Sequence, residues 1–149
     1  MNLLVAVDGS EEADGAIAYA ADVADAMDAS LTLVHTVDPA AYETGGSEPI
    51  ASFSDADRRL IVESLEDAER RGIDLLEAAA EFARELGHDV ETELLYGDPV
   101  EELTDFAEER DVDAIYVGHR GRSERAGVML GSTAEAVAER ATVPVTIVR

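Results

Sequence analysis

The 149 residues suit a single folding unit, one long enough to bury roughly 68–70% of its unfolded surface. With 34 acidic residues against 11 basic ones the formal net charge is -23, every basic residue other than histidine is Arg, and no lysine or cysteine occurs. This argues against general binding to nucleic acid or anionic membranes, excludes disulfides and thiolate chemistry, and, beside 46% hydrophobic residues, describes an acidic surface over a real core rather than disorder.

The first strand is expected at 3–8, "LLVAVD". It reaches Asp8 after five apolar residues, too short for a signal segment or a membrane span, so the protein reads as soluble and cytoplasmic. A helix over 10–28 follows a Ser/Asp cap, with Ala13, Ile17, Ala20, Ala21 and Ala24 at helical spacing. Asp8 with Glu11 three residues on also has the form of a capping pair. A second strand is expected at 30–38. The Gly, Pro and Ser-rich stretch 39–54 then reads as a flexible loop near the strand ends, either a lid or an insertion.

An amphipathic helix over 55–86 stops at Gly87 and contains Gly72, where a kink or a split is expected. A strand at 89–96, a helix at 99–110 begun by Pro99, a strand at 113–118, a helix at 131–140 and a last strand at 143–149 complete the chain. Strands alternating with helices imply one domain over 1–149, an open α/β fold with a five-stranded parallel sheet and helices on both faces.

In such sheets ligands bind beyond the carboxyl ends of strands, where the winding reverses. Two strand ends carry suitable residues, "VDGS" at 7–10 and "GHRG" at 118–121. Gly118 and Gly121 allow close backbone approach, and "GST" at 131–133 opens a helix whose free N–H groups attract phosphate. Within 118–133, Arg120, Arg122 and Arg125 outnumber Glu124, so the local sign opposes the global one. Equally, glycines after strands are turn residues and Ser at a helix start is a cap. Asp8 suits a ribose or a hydrated Mg ion, or the cap alone. His119, in the Arg-rich loop, either meets a phosphate or faces solvent. His35 reads as a satisfied strand residue, and no metal site of protein side chains alone is expected. The acid pairs at 11–12, 101–102 and 108–109 read as a solvated face. There is no Gly-Lys-Ser/Thr loop, no G-x-G-x-x-G and no G-x-S-x-G, which removes the usual support for P-loop kinase, dinucleotide dehydrogenase and serine hydrolase chemistry.

The whole chain resembles the universal stress protein family, in particular its ATP-binding branch. The motif G-x2-G-x9-G-S/T is matched by Gly118, Gly121, Gly131 and Ser132; "VDGS" near the start, "GDP" at 97–99 and the closing "VPVTIVR" match its other recurrent pieces in order. The phosphate loop "GHRGRSERAGVML" is more charged than is common, with an extra Gly127 after Ala126.

The resemblance implies sheet order 3-2-1-4-5, the adenine nucleotide hydrolase-like fold, with ATP and Mg or Mn at the junction of strands one and four. It implies Ala6 and Val7 beneath the nucleotide, Asp8 near the ribose, Thr36 meeting adenine through its backbone, and a phosphate cradle of Gly118, Gly121, Gly131, Ser132 and Thr133. His119, Arg120 and Arg122 stand by as further phosphate contacts. A homodimer through 143–149 is also implied. The function expected is an ATP-binding regulator of the stress response with little or no catalysis, in a halophile's cytoplasm. The rivals are a weak ATPase or phosphoryl-transfer enzyme, and a dimerising module without nucleotide.

Overall fold

The structure, a computed structural model, describes residues 1–40, 55–121 and 130–149, and for 55–64 the helical path alone. Most of the loop expected at 39–54, together with Arg122 and Arg125, lies outside these residues. The described elements are β1 (Asn2–Ala6), α1 (Glu11–Met27), β2 (Ser30–Val37), α2 (Asp55–Glu85), β3 (Glu91–Tyr96), α3 (Pro99–Glu109), β4 (Ala114–Gly118), α4 (Ser132–Arg140) and β5 (Val145–Val148).

All five strands are parallel, in the order β3-β2-β1-β4-β5. Alternation along β1 divides the core: Leu3, Val5 and Val7 join α1 and α2 on one face, while Leu4 and Ala6 join α3 and α4 on the other. The small buried side chains Ala13, Ala16, Ala20, Ala21 and Ala24 let α1 lie close to the sheet. Because the chain leaves β1 for β2 on one side and later returns to β4 on the other, the winding reverses between β1 and β4, and their carboxyl ends diverge into a crevice.

Two expectations about elements change. α2 runs unbroken through Gly72. A Cβ there would meet His35 Cδ2 at 3.0 Å and Leu94 Cδ1 at 3.0 Å, so the glycine serves close approach of the helix to β2 and β3. The cap of α1 is Ser10, the serine of the expected Ser/Asp cap, whose Oγ accepts from the Ala13 N–H at 3.1 Å. The last strand starts at Val145 rather than 143, directly after Pro144, whose carbonyl accepts from the Ile115 N–H at 2.9 Å. As expected, Gly87 closes α2 with φ +91, the left-handed region glycine favours. At the other helix starts Asp98 accepts from the N–H groups of Val100 and Glu101 ahead of Pro99. Among the described residues no helix is long and apolar enough to cross a membrane.

Candidate functional site

The β1 end of the crevice is held by its own polar groups. The ladder continues one residue past the strand, the Val7 N–H donating to the Val34 carbonyl at 2.8 Å. The Val7 carbonyl lies 2.7 Å from His35 Nδ1, which fixes the N–H of a neutral His35 on Nδ1. His35 is thus a satisfied strand residue, as its sequence position implied. The chain then turns through Gly9 at φ +81. Asp8 Oδ1 accepts from the Ser10 N–H at 3.0 Å and from Ser10 Oγ at 2.5 Å, so Asp8 braces the residue that caps α1.

The β4 end is shaped by α1. A Cβ on Gly118 would lie 2.8 Å from Glu12 Cβ and 2.9 Å from the Glu12 carbonyl carbon. The sequence pointed to ligand approach as the reason for this glycine; the packing shows that the space is already taken by the first turn of α1. His119 is tied to its flanks: its N–H donates to the Val148 carbonyl at 2.8 Å, its carbonyl accepts from the Gly131 N–H at 2.6 Å, and its Nδ1 lies 3.3 Å from the same Val148 oxygen. It does not line the crevice. Arg120 does, with Nη2 3.4 Å from Glu12 Oε1 and Nε buried without a hydrogen-bond partner among the described residues. The start of α4 also borders the crevice, where Gly131 is the N-cap and supplies no side-chain hydrogen bond.

Between these walls is a cavity of ≈ 180 Å³. It brings together Ala6, Val7, Asp8, Thr36, Gly118, Gly121 and Thr133, which sequence reasoning had singled out from three separate stretches. Gly131 and Ser132 sit at the α4 start beside Thr133 and do not line it. The apolar wall of Val34, Leu103, Val117 and Ala134, with Pro99, was not anticipated as part of the site; the sole signal was the "GDP" that sets Pro99 ahead of α3.

A larger cleft of ≈ 760 Å³ shares Val7, Asp8, His35 and Thr36 with the first and continues between α1 and α2 past Asp14, Arg71 and Asp74. Partial burial, then the neighbouring Asp8 and Glu11 carboxylates, raise the Asp14 pKa above its ordinary value. Among the described residues no group of three or more His, Asp or Glu side chains is arranged to hold a metal ion.

One expectation about charge fails here. Glu12, counted with Glu11 in a solvated face, is half-buried, because Gly118 admits the first turn of α1 against β4 and Arg120 lies over it. Outer pairs meet cations or hydroxyls at the surface instead, Glu101 with Arg140 at 3.7 Å and Glu108 with Thr142 at 3.1 Å.

Chemically the crevice offers an apolar slot between strand ends, a carboxylate at one lip, and a helix start with hydroxyls and an arginine at the other. That is a polarity suited to a flat apolar ring carrying an anionic tail.

The model of the universal stress protein family matches residues 1–149. Universal stress protein YxiE of Bacillus subtilis is 34% identical over 147 residues, covering 99% of this chain and 97% of its own. Among solved structures, universal stress protein UspA from Lactobacillus plantarum superposes with a TM-score of 0.82 at 26% identity, over 100% of this chain and 97% of that one. The universal stress protein from Archaeoglobus fulgidus, solved in complex with dAMP, does so with a TM-score of 0.67 at 28% identity, over 100% and 98%.

Proposed function

The chain belongs to the universal stress protein family, and from that premise we propose that it binds an adenine nucleotide, ATP with Mg or Mn, in the β1/β4 crevice and acts as a regulator rather than as an enzyme. The observation that carries this reading is the convergence of Ala6, Val7, Asp8, Thr36, Gly118, Gly121 and Thr133 on one cavity. That a similar protein was solved with dAMP supports the adenine part of the ligand.

The residues fit such a ligand in its parts. Ala6, Val34 and Leu103 give an apolar slot for the base, with the Thr36 backbone beside it; Asp8 meets the ribose. The cavity by itself is smaller than the roughly 300–1,000 Å³ of ordinary small-molecule sites, so it holds the base while sugar and phosphates run out past Asp8 towards the α4 start. There Gly131, Ser132 and Thr133 present N–H and hydroxyl donors, in the region of positive helix dipole. Gly121 and Arg120 complete the phosphate side; His119, held at Val148, contributes its backbone link to Gly131. A divalent cation would be held by phosphate oxygens together with Asp8, and it would neutralise phosphate charge. The two groups best placed to activate water, Asp8 and His35, have polar atoms committed to Ser10 and to the Val7 carbonyl, which favours binding over turnover.

β5 closes one edge of the sheet, and pairing it with a second copy would satisfy its outer backbone groups and give the homodimer. An acidic surface without lysine suits a salt-rich cytoplasm, where the Debye length is about 3 Å at 1 M.

Calorimetric titration with AMP, ADP and Mg-ATP in matched salt tests the site. The parent protein should bind one nucleotide per chain, and a Ser132→Ala/Thr133→Val variant should bind Mg-ATP about tenfold or more weakly, two hydrogen bonds to an anion being lost. A parent without saturable binding, or a double variant as tight as the parent, refutes the assignment.

A further inference from the structure

We propose that Glu12 is an internal competitor for the phosphate-binding arginine, and that its pairing with Arg120 sets how strongly the crevice discriminates phosphorylated from unphosphorylated adenine ligands. The inference rests on the nucleotide reading above and extends it to a residue on another element.

Five observations carry it. Arg120 lines the crevice together with Thr133 at the α4 start, the part that the nucleotide reading assigns to the phosphates. Its Nη2 is engaged by Glu12 Oε1 at 3.4 Å, long for a charge-assisted hydrogen bond, for which about 2.7–2.9 Å is usual. Its Nε is buried and has no hydrogen-bond partner among the described residues; a buried donor left so is costly, and an acceptor brought by a ligand would relieve it. Both side chains are shielded, 29% and 25% exposed, so solvent screens the pair less than it would a surface ion pair. Glu12 is not free to withdraw by backbone movement, since its own Cβ and carbonyl pack where a Gly118 side chain would be.

A guanidinium has five N–H donors in one plane. With one edge held loosely by Glu12 and Nε unsatisfied, Arg120 is half-committed. A phosphate oxygen arriving at the α4 start supplies the missing acceptor and must take the guanidinium from Glu12 or share it. Phosphate binding therefore works against the Glu12 carboxylate, and an uncharged ligand, which makes no demand on Arg120, does not.

The test is a set of dissociation constants for adenosine, ADP and Mg-ATP, measured by calorimetry at fixed salt on the full chain. The proteins are the parent, Glu12→Gln, Arg120→Gln and the double variant. Glu12→Gln should tighten ADP and Mg-ATP by about three- to tenfold, the range of a partly shielded ion pair, with adenosine unchanged. In the Arg120→Gln background the same substitution should give no gain. Phosphorylated ligands unaffected by Glu12→Gln, adenosine tightened equally, or a gain that persists without Arg120 each overturn the proposal while leaving nucleotide binding intact. A parent that binds neither adenosine nor Mg-ATP overturns the nucleotide reading itself, and this proposal with it.

Discussion

Gly118→Ala should destabilise the fold although it adds one methyl at the carboxyl end of a strand. The new Cβ would stand 2.8 Å from Glu12 Cβ, 2.9 Å from the Glu12 carbonyl carbon and 3.0 Å from its oxygen. Two of these are backbone atoms, so rotating a side chain gives no relief, and the first turn of α1 must move away from β4. Overpacking of this kind costs about 1–3 kcal/mol. At about 2–4 °C per kcal/mol for a chain of this length, the melting temperature should fall by roughly 3–10 °C. Gly15→Ala is the matched control: it lies within the same helix, a Cβ there meets nothing within 4 Å, and Ala should stabilise by about 0.5–1 kcal/mol. Thermal unfolding followed by circular dichroism, with both variants in one buffer of fixed salt, reads the two signs together. Gly118→Ala melting at or above the parent would show that α1 yields easily, and the argument that packing against Glu12 demands this glycine would be wrong.

Ser10→Ala removes both the cap of α1 and the hydroxyl bonded to Asp8, and should cost about 0.5–2 kcal/mol by denaturant titration; no change would mean that the Ser10 hydroxyl contributes nothing. Asp14 has its pKa raised by partial burial and by Asp8 and Glu11, so its ionised form opposes folding. That penalty is complete above the raised pKa and absent below the unfolded value of about 3.9. Asp14→Asn should therefore raise the melting temperature at pH 7 and lose its advantage as the pH falls to about 3.5; an advantage that grows on acidification would reverse the sign. With a net charge of -23, the melting temperature should climb between 0.1 and about 2 M KCl as the Debye length shrinks from about 10 Å, and a flat profile would contradict self-repulsion as a major term.

The strands and helices were legible because the residues of each carry its own pattern, while the order of the strands came from the family resemblance. The crevice followed, since "VDGS" and "GHRG" stand at two strand ends that the topology makes neighbours. What was misread depended on contacts between distant residues. Helix propensity condemned Gly72, but its value lies in letting α2 approach His35 and Leu94. Glu12 was grouped with a solvated face because nothing in its neighbourhood along the chain reveals Arg120, 108 positions away. Val34 and Leu103 look like ordinary core residues in sequence, and only the third dimension shows them walling a cavity.

The most direct test of the β1/β4 crevice as an adenine-nucleotide site is to purify the protein in high salt, denature it, and identify the released small molecules by anion-exchange chromatography with mass detection, after dialysis against Mg-ATP and then against nucleotide-free buffer. Recovery of ATP or ADP approaching one per chain from the parent, and little from Ser132→Ala/Thr133→Val, is the expected result. No nucleotide released from the parent, or equal amounts from both proteins, would contradict it.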